Sequence, residues 1–209
     1  FDVELRQSAA IPFRSDIVKT ITPERQGSAF LKDFDPTTSR LAALHVVVAN
    51  DSDLIRLLRS YRRLKELTFN HALSSELLTE LQSYPLESLS LTDTGDEQVD
   101  LLCKMIESNA KLEHLELQLF QPAVLKAVST RPLLHTLCIC TGECDVSVLS
   151  SCISKLPALK SLMLQELYLS EDDILRVIAA FPPQLAAFEI LEVDPISFHS
   201  AGVISLLRR

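Results

Sequence analysis

The sequence predicts an α/β chain organised as a repeat array, with about seven parallel strands each followed by a helix. Three observations predict it. A block of the form Leu-x-x-Leu-x-apolar recurs seven times, starting at Leu41, Leu64, Leu86, Leu112, Leu134, Leu159 and Leu185. The starts lie 22 to 26 residues apart, enough for one strand, one turn and one helix per unit. The segments between blocks carry apolar residues at helical spacing, and prolines stand just before several of the next blocks.

The blocks define the strands. Their first position is Leu in all seven, and their fourth is Leu in six, with Phe188 the exception. In a chain with 38 leucines among 209 residues, that alignment is far beyond composition. Side chains alternate across a strand, so positions four and six face the helices and positions three, five and seven face the opposite side. Leu89, Leu115, Leu137 and Leu162 are therefore expected to be inaccessible to solvent. The helices come next. Leu54, Ile55, Leu57 and Leu58 share one side of the first, Leu77, Leu78 and Leu81 mark the second, and Val99, Leu102, Met105 and Ile106 the third. Ser52, Ser74, Asp96 and Ser170 stand where N-caps belong. Pro85, Pro132, Pro157 and the Pro182–Pro183 pair push the preceding residue out of helical geometry and mark each return to strand.

Over residues 41–209 this pattern resembles the leucine-rich-repeat family, whose signature is Leu-x-x-Leu-x-Leu at a spacing of about 20 to 29 residues. The resemblance implies a right-handed leucine-rich-repeat solenoid, with strands on a concave face and helices on a convex one. Strands about 4.8 Å apart stacked against helices that need about 8 to 10 Å must bend. Where the family often carries Asn or Cys three residues after the block, this chain has Ala49, Ala72, Thr94, Phe120, Gly142, Leu167 and Val193. No asparagine ladder is expected there. The irregular intracellular type, similar to ribonuclease-inhibitor-like and F-box-associated repeats, fits better than the extracellular receptor type. Residues 1–40 contain no block and are expected to cap the array. At the other end, the helical pattern after the last block leaves the strand at Leu185 as an edge. Further repeats, a partner or a second copy is expected to cover it. The chain begins with Phe1 rather than Met, which suggests processing or an excerpt.

Composition narrows the function classes. A net charge of −8 argues against free nucleic acid or an anionic membrane as the main partner. No apolar run reaches the roughly 18 residues of a membrane span, and the N-terminus lacks the layout of a signal peptide. With five cysteines, three of them at positions 138, 140 and 144, the expectation is reduced thiols in the cytoplasm or nucleus rather than a disulfide framework.

Catalytic motifs are missing: no HExxH, GxSxG, GxGxxG or Walker-type loop is present, and only four glycines occur. The chain is read as a non-enzyme without cofactor. His135, Cys138, Cys140, Cys144 and Cys152 form the strongest metal-ligand candidate. They lack paired C-x2-C knuckles, and their thiols are read instead as fillers of small apolar sites. The histidines at 45, 71, 114 and 135 fall on or beside blocks, where Thr68 or Ser90 could be imagined as a partner nucleophile. Surface histidine is the reading adopted. The arginines at 56, 59, 62 and 63 are read as a solvated helix face rather than an anion site.

The face opposite the helices is more informative. Positions three, five, seven and eight of the seven blocks comprise 28 residues. Six are acidic, namely Glu66, Asp93, Glu116, Glu166, Glu189 and Glu192, and none is Lys or Arg. His71, His114 and Gln118 add hydrogen-bonding groups, and Met163 adds apolar contact. This mixture is what protein recognition uses. The expectation is a protein-binding scaffold (an adaptor, substrate receptor or sensor) whose partner presents a basic segment. Family resemblance also suggests two alternatives, a GTPase-activating protein of the leucine-rich-repeat type and the repeat segment of a ubiquitin-ligase assembly.

Overall fold

A computed structural model describes residues 18–21, 43–46, 51–69, 72–91, 96–118, 121–142, 145–167 and 169–191. Among them, eight strands form one sheet in sequence order. They are β1 (Val18–Ile21), β2 (Ala43–Val46), β3 (Glu66–Phe69), β4 (Ser88–Leu91), β5 (His114–Leu117), β6 (Thr136–Gly142), β7 (Ser161–Leu167) and β8 (Ala187–Leu191). Every neighbouring pair is parallel. The seven expected strands are all present, each beginning two residues after its block leucine. β1 is additional. It lies within residues 1–40, where the sequence reading provided no strand, and Val18 pairs with Ala43 in the register that continues to Glu66. Its Val-Lys-Thr-Ile run lacks a leucine block but has the β-branched composition that suits a pleated surface.

Between strands lie α1 (Asp51–Ser60), α2 (Ser75–Leu81), α3 (Val99–Ser108), α4 (Pro122–Val128), α5 (Val146–Ile153) and α6 (Glu171–Ala179). Each packs against the next, so the six form one layer. Their starts follow from local chemistry. The Ser74 hydroxyl accepts from the Leu77 amide, and Ser170 forms a capping box with Asp173. Two expected caps sit differently. Ser52 is already inside α1, and Asp96 opens a short 3-10 turn that precedes α3. Asp145, which the sequence reading passed over, caps α5 by accepting from the amides of Ser147 and Val148.

The core lies between sheet and helices. Leu67, Leu89, Leu115, Leu137 and Leu162 form one rung across β3 to β7 and are at most 1% exposed. Phe69, Leu91, Leu117, Ile139 and Leu164 form the next rung, equally buried. At the last block Phe188 takes the leucine position and meets Phe181 edge-on, with ring centroids 4.7 Å apart.

One hydrogen-bond device repeats at the foot of every strand from β4 to β8. The carbonyls of Lys65, Glu87, Glu113, His135 and Lys160 each accept two consecutive amides from the following unit, at 2.7 to 3.0 Å. The block leucines 64, 112, 134, 159 and 185 each donate their amide to the carbonyl three residues back. Leu86 departs from this. Its amide donates to the side-chain oxygen of Asn109, 3.0 Å away in the next unit, while the Asn109 amide group donates to the Met105 carbonyl at 2.8 Å. Asn109 is 2% exposed, so a single buried asparagine pins two units together. The expected lack of an asparagine ladder concerned other positions, and this residue was not foreseen.

Candidate functional site: the open face of the sheet

Strand alternation gives the sheet a face turned away from the helices. Register aligns its residues in rungs: Glu66, Ser88, His114, Thr136, Ser161 and Ala187 form one. Thr68, Ser90, Glu116, Cys138, Met163 and Glu189 form the next, and Cys140 stands beside Gln165 in a third. Six of the ten residues singled out from sequence have described side chains; five of them lie on these rungs and the sixth, Gln118, just beyond them. Glu66, His114, Glu116 and Met163 are half-buried, and Glu189 is exposed. Gln118, directly after β5, is exposed and donates its amide to the Leu91 carbonyl at 3.1 Å. Glu166 lies on β7, but its side chain is outside those described; His71, Asp93 and Glu192 lie outside the described residues altogether.

Neighbouring strands link these groups. The Ser90 hydroxyl donates to Glu116 at 2.8 Å, so it is committed to a carboxylate rather than to a histidine. His114 Nδ1 and the Thr136 hydroxyl are 3.0 Å apart. Burial lowers the His114 pKa from its ordinary value; Glu113 opposes the shift and His135 adds to it. Burial likewise raises the Glu66 pKa, with Glu87 adding and Lys65 opposing. Beside this face, the second block position forms a rail of ionisable groups. Lys65 meets Glu87 at 2.6 Å, and His135 Nδ1 lies 3.6 Å from Glu113.

The five-residue metal-ligand candidate, set aside on sequence grounds, is not brought together among the described residues. Cys152 belongs to the hydrophobic core on the helix side, and burial raises its thiol to about 12. Cys144 lies outside the described residues. Cys138 and Cys140 are also buried, but outside the hydrophobic cluster, on the open face. Their Sγ atoms are 3.6 Å apart, and Glu116 joins them from β5. Filling an apolar site describes Cys152 and not this pair. The Cys138 thiol is pushed well above its usual range by its hydrogen bond to Cys140, then by burial and by the charges of Glu116 and Glu189.

On the helix side the arginines are partly tied down. Arg59 and Arg62 converge on Glu80 of α2, at 3.0 and 3.1 Å, and Arg62 also stacks over the Tyr84 ring. Both remain more than half exposed, which suits a solvated face.

Fold and site together define a repeated strand–helix protein with an all-parallel sheet, helices against one face, and a polar, acidic opposite face. No protein-family model matches the chain, and no curated protein is significantly similar to it. No helix among the described residues is long and apolar enough to cross a membrane.

Proposed function

We propose that the chain is a leucine-rich-repeat solenoid and acts as a non-catalytic protein-binding scaffold, gripping a partner with a basic segment on the open, concave side of its sheet. One observation carries the reading. Among the described open-face side chains of β3 to β8, three are glutamates, Glu66, Glu116 and Glu189, and none is Lys or Arg. The acids stand on a regular hydrogen-bonded sheet, so their spacing is set by the backbone before any partner arrives. Met163 lies directly between Cys138 and Glu189 on its rung, giving an apolar anchor beside a charge. Leucines at fixed block positions, parallel pairing and a stacked helix layer are what a solenoid of this kind needs.

The test is affinity purification with mass spectrometry, followed by titration calorimetry on the recovered partner. Reversing Glu116 and Glu189 to Lys together is expected to remove that partner while leaving far-UV circular dichroism unchanged. Reversing Arg63 and Lys104, both exposed away from this face, is expected to leave binding intact. Affinity for the wild type should fall with added salt, because charge attraction between exposed groups is screened. A partner retained by the glutamate reversals and lost by the Arg63 and Lys104 reversals would place binding on the helix side and overturn the reading.

A further inference from the structure

Cys138 and Cys140 stand two apart on β6, and strand alternation puts both on the open face. Two residues of strand span about 6.6 Å between Cα atoms, at the outer edge of what a disulfide tolerates. The observed Sγ separation of 3.6 Å suits a different chemistry. Two thiolates held by one tetrahedral zinc, with bonds of about 2.3 Å, lie about 3.8 Å apart. A linear two-thiolate ion with the same bond length would need about 4.6 Å. The pair is spaced for a shared tetrahedral ion.

A third donor is already in place. Glu116 pairs with Cys138 across β5 and β6, and a carboxylate oxygen and both sulfurs lie within 4.8 Å of one another. Ser90 donates its hydroxyl to the same carboxylate at 2.8 Å. Outer hydrogen bonds of this kind fix a ligand's orientation. On the far side, the Gln165 side-chain oxygen sits 3.6 Å from the Cys140 sulfur. Two sulfurs and a carboxylate suit a borderline-soft divalent ion; magnesium and calcium prefer all-oxygen sets.

We propose that Cys138, Cys140 and Glu116 form a three-ligand site for a tetrahedral thiophilic divalent cation of the zinc type, with the fourth position left to water or to Gln165. Binding releases the thiol protons, so affinity rises with pH. The site stands on its own geometry and does not depend on the protein-binding reading.

Cobalt(II) titrated into the full 209-residue chain, kept reduced by a phosphine, is the direct test. One equivalent should bind with thiolate-to-cobalt charge transfer in the near ultraviolet and tetrahedral visible bands, and zinc should displace it. Cys138→Ser and Cys140→Ser should each abolish stoichiometric binding. Ser90→Ala should weaken it by about 10- to 100-fold, the usual effect of losing an outer-shell partner. Cys103→Ser, on α3, should leave it unchanged. X-ray absorption on the zinc-loaded wild type needs no variant and should count two sulfurs with lighter atoms beside them. Absence of a thiolate band at one equivalent, a band that survives Cys138→Ser, or a zinc shell without sulfur would each leave only a thiol–thiol contact and overturn the proposal.

Discussion

Asn109 is the residue whose loss the structure prices most directly. Replacing it with Ala removes the acceptor of the Leu86 amide and the donor to the Met105 carbonyl. The Leu86 amide is buried and has no carbonyl of its own turn to fall back on, unlike the other block leucines of β3 and β5 to β8. Leaving it unpaired costs about 1 to 3 kcal/mol. The Met105 carbonyl still accepts from the Ser108 hydroxyl at 2.9 Å, so its loss is a net hydrogen bond of about 0.5 to 1.5 kcal/mol. The sum, about 1.5 to 4.5 kcal/mol, is a substantial part of the roughly 5 to 15 kcal/mol that holds a domain folded. Urea unfolding should show a midpoint lowered by about 0.8 to 2.2 M, given a slope near 2 kcal/mol per molar. Asn109→Leu fills the same space without polar atoms, so a loss of the same size in both variants assigns the effect to hydrogen bonds rather than to a cavity. Hydrogen exchange at Leu86 should accelerate in each. Stabilities within about 0.5 kcal/mol of wild type, with the Leu86 amide still protected, would refute the pinning role.

Three further outcomes follow from burial and charge. Leu115→Ala, at a position 1% exposed in the middle of the sheet, should cost about 2 to 5 kcal/mol in the same unfolding assay. Glu66 has a folded pKa above its ordinary 4.5, so the unfolded chain gives up that proton first and stability falls as pH rises past 4.5. Glu66→Gln should therefore stabilise the protein at neutral pH, with the gain vanishing in acid; a destabilised variant at neutral pH would contradict the sign. His114 is shifted the other way, below 6.5, so its contribution is complete above 6.5 and is lost as pH falls below that value, where the unfolded chain takes up the proton first. His114→Gln should flatten that part of the stability–pH curve, measured by thermal unfolding across the range.

The local pattern of the chain determined the parts that depend on period. Leucines at block positions one and four and apolar residues at position six placed seven strands to within two residues and named the buried rungs, because alternation in a strand and recurrence in a helix are written into neighbouring residues. Equal block positions also pair across the sheet, so Glu66, His114, Glu116, Met163 and Glu189 were legible as one surface before any coordinates. Which of these groups bond to each other was not legible. Ser90 choosing Glu116, Arg59 and Arg62 sharing Glu80, and Asn109 reaching back 23 residues to Leu86 are choices among several polar neighbours. Only packing geometry decides them. β1 escaped for a related reason: four residues without a leucine block show too little periodicity to announce a strand, and the sheet edge at β2 supplies the pairing that makes one. The cysteines mark the same boundary. Their spacing put Cys138 and Cys140 on one face, but the third member of the cluster comes from the preceding strand, 22 residues before Cys138, and parallel pairing alone brings it there.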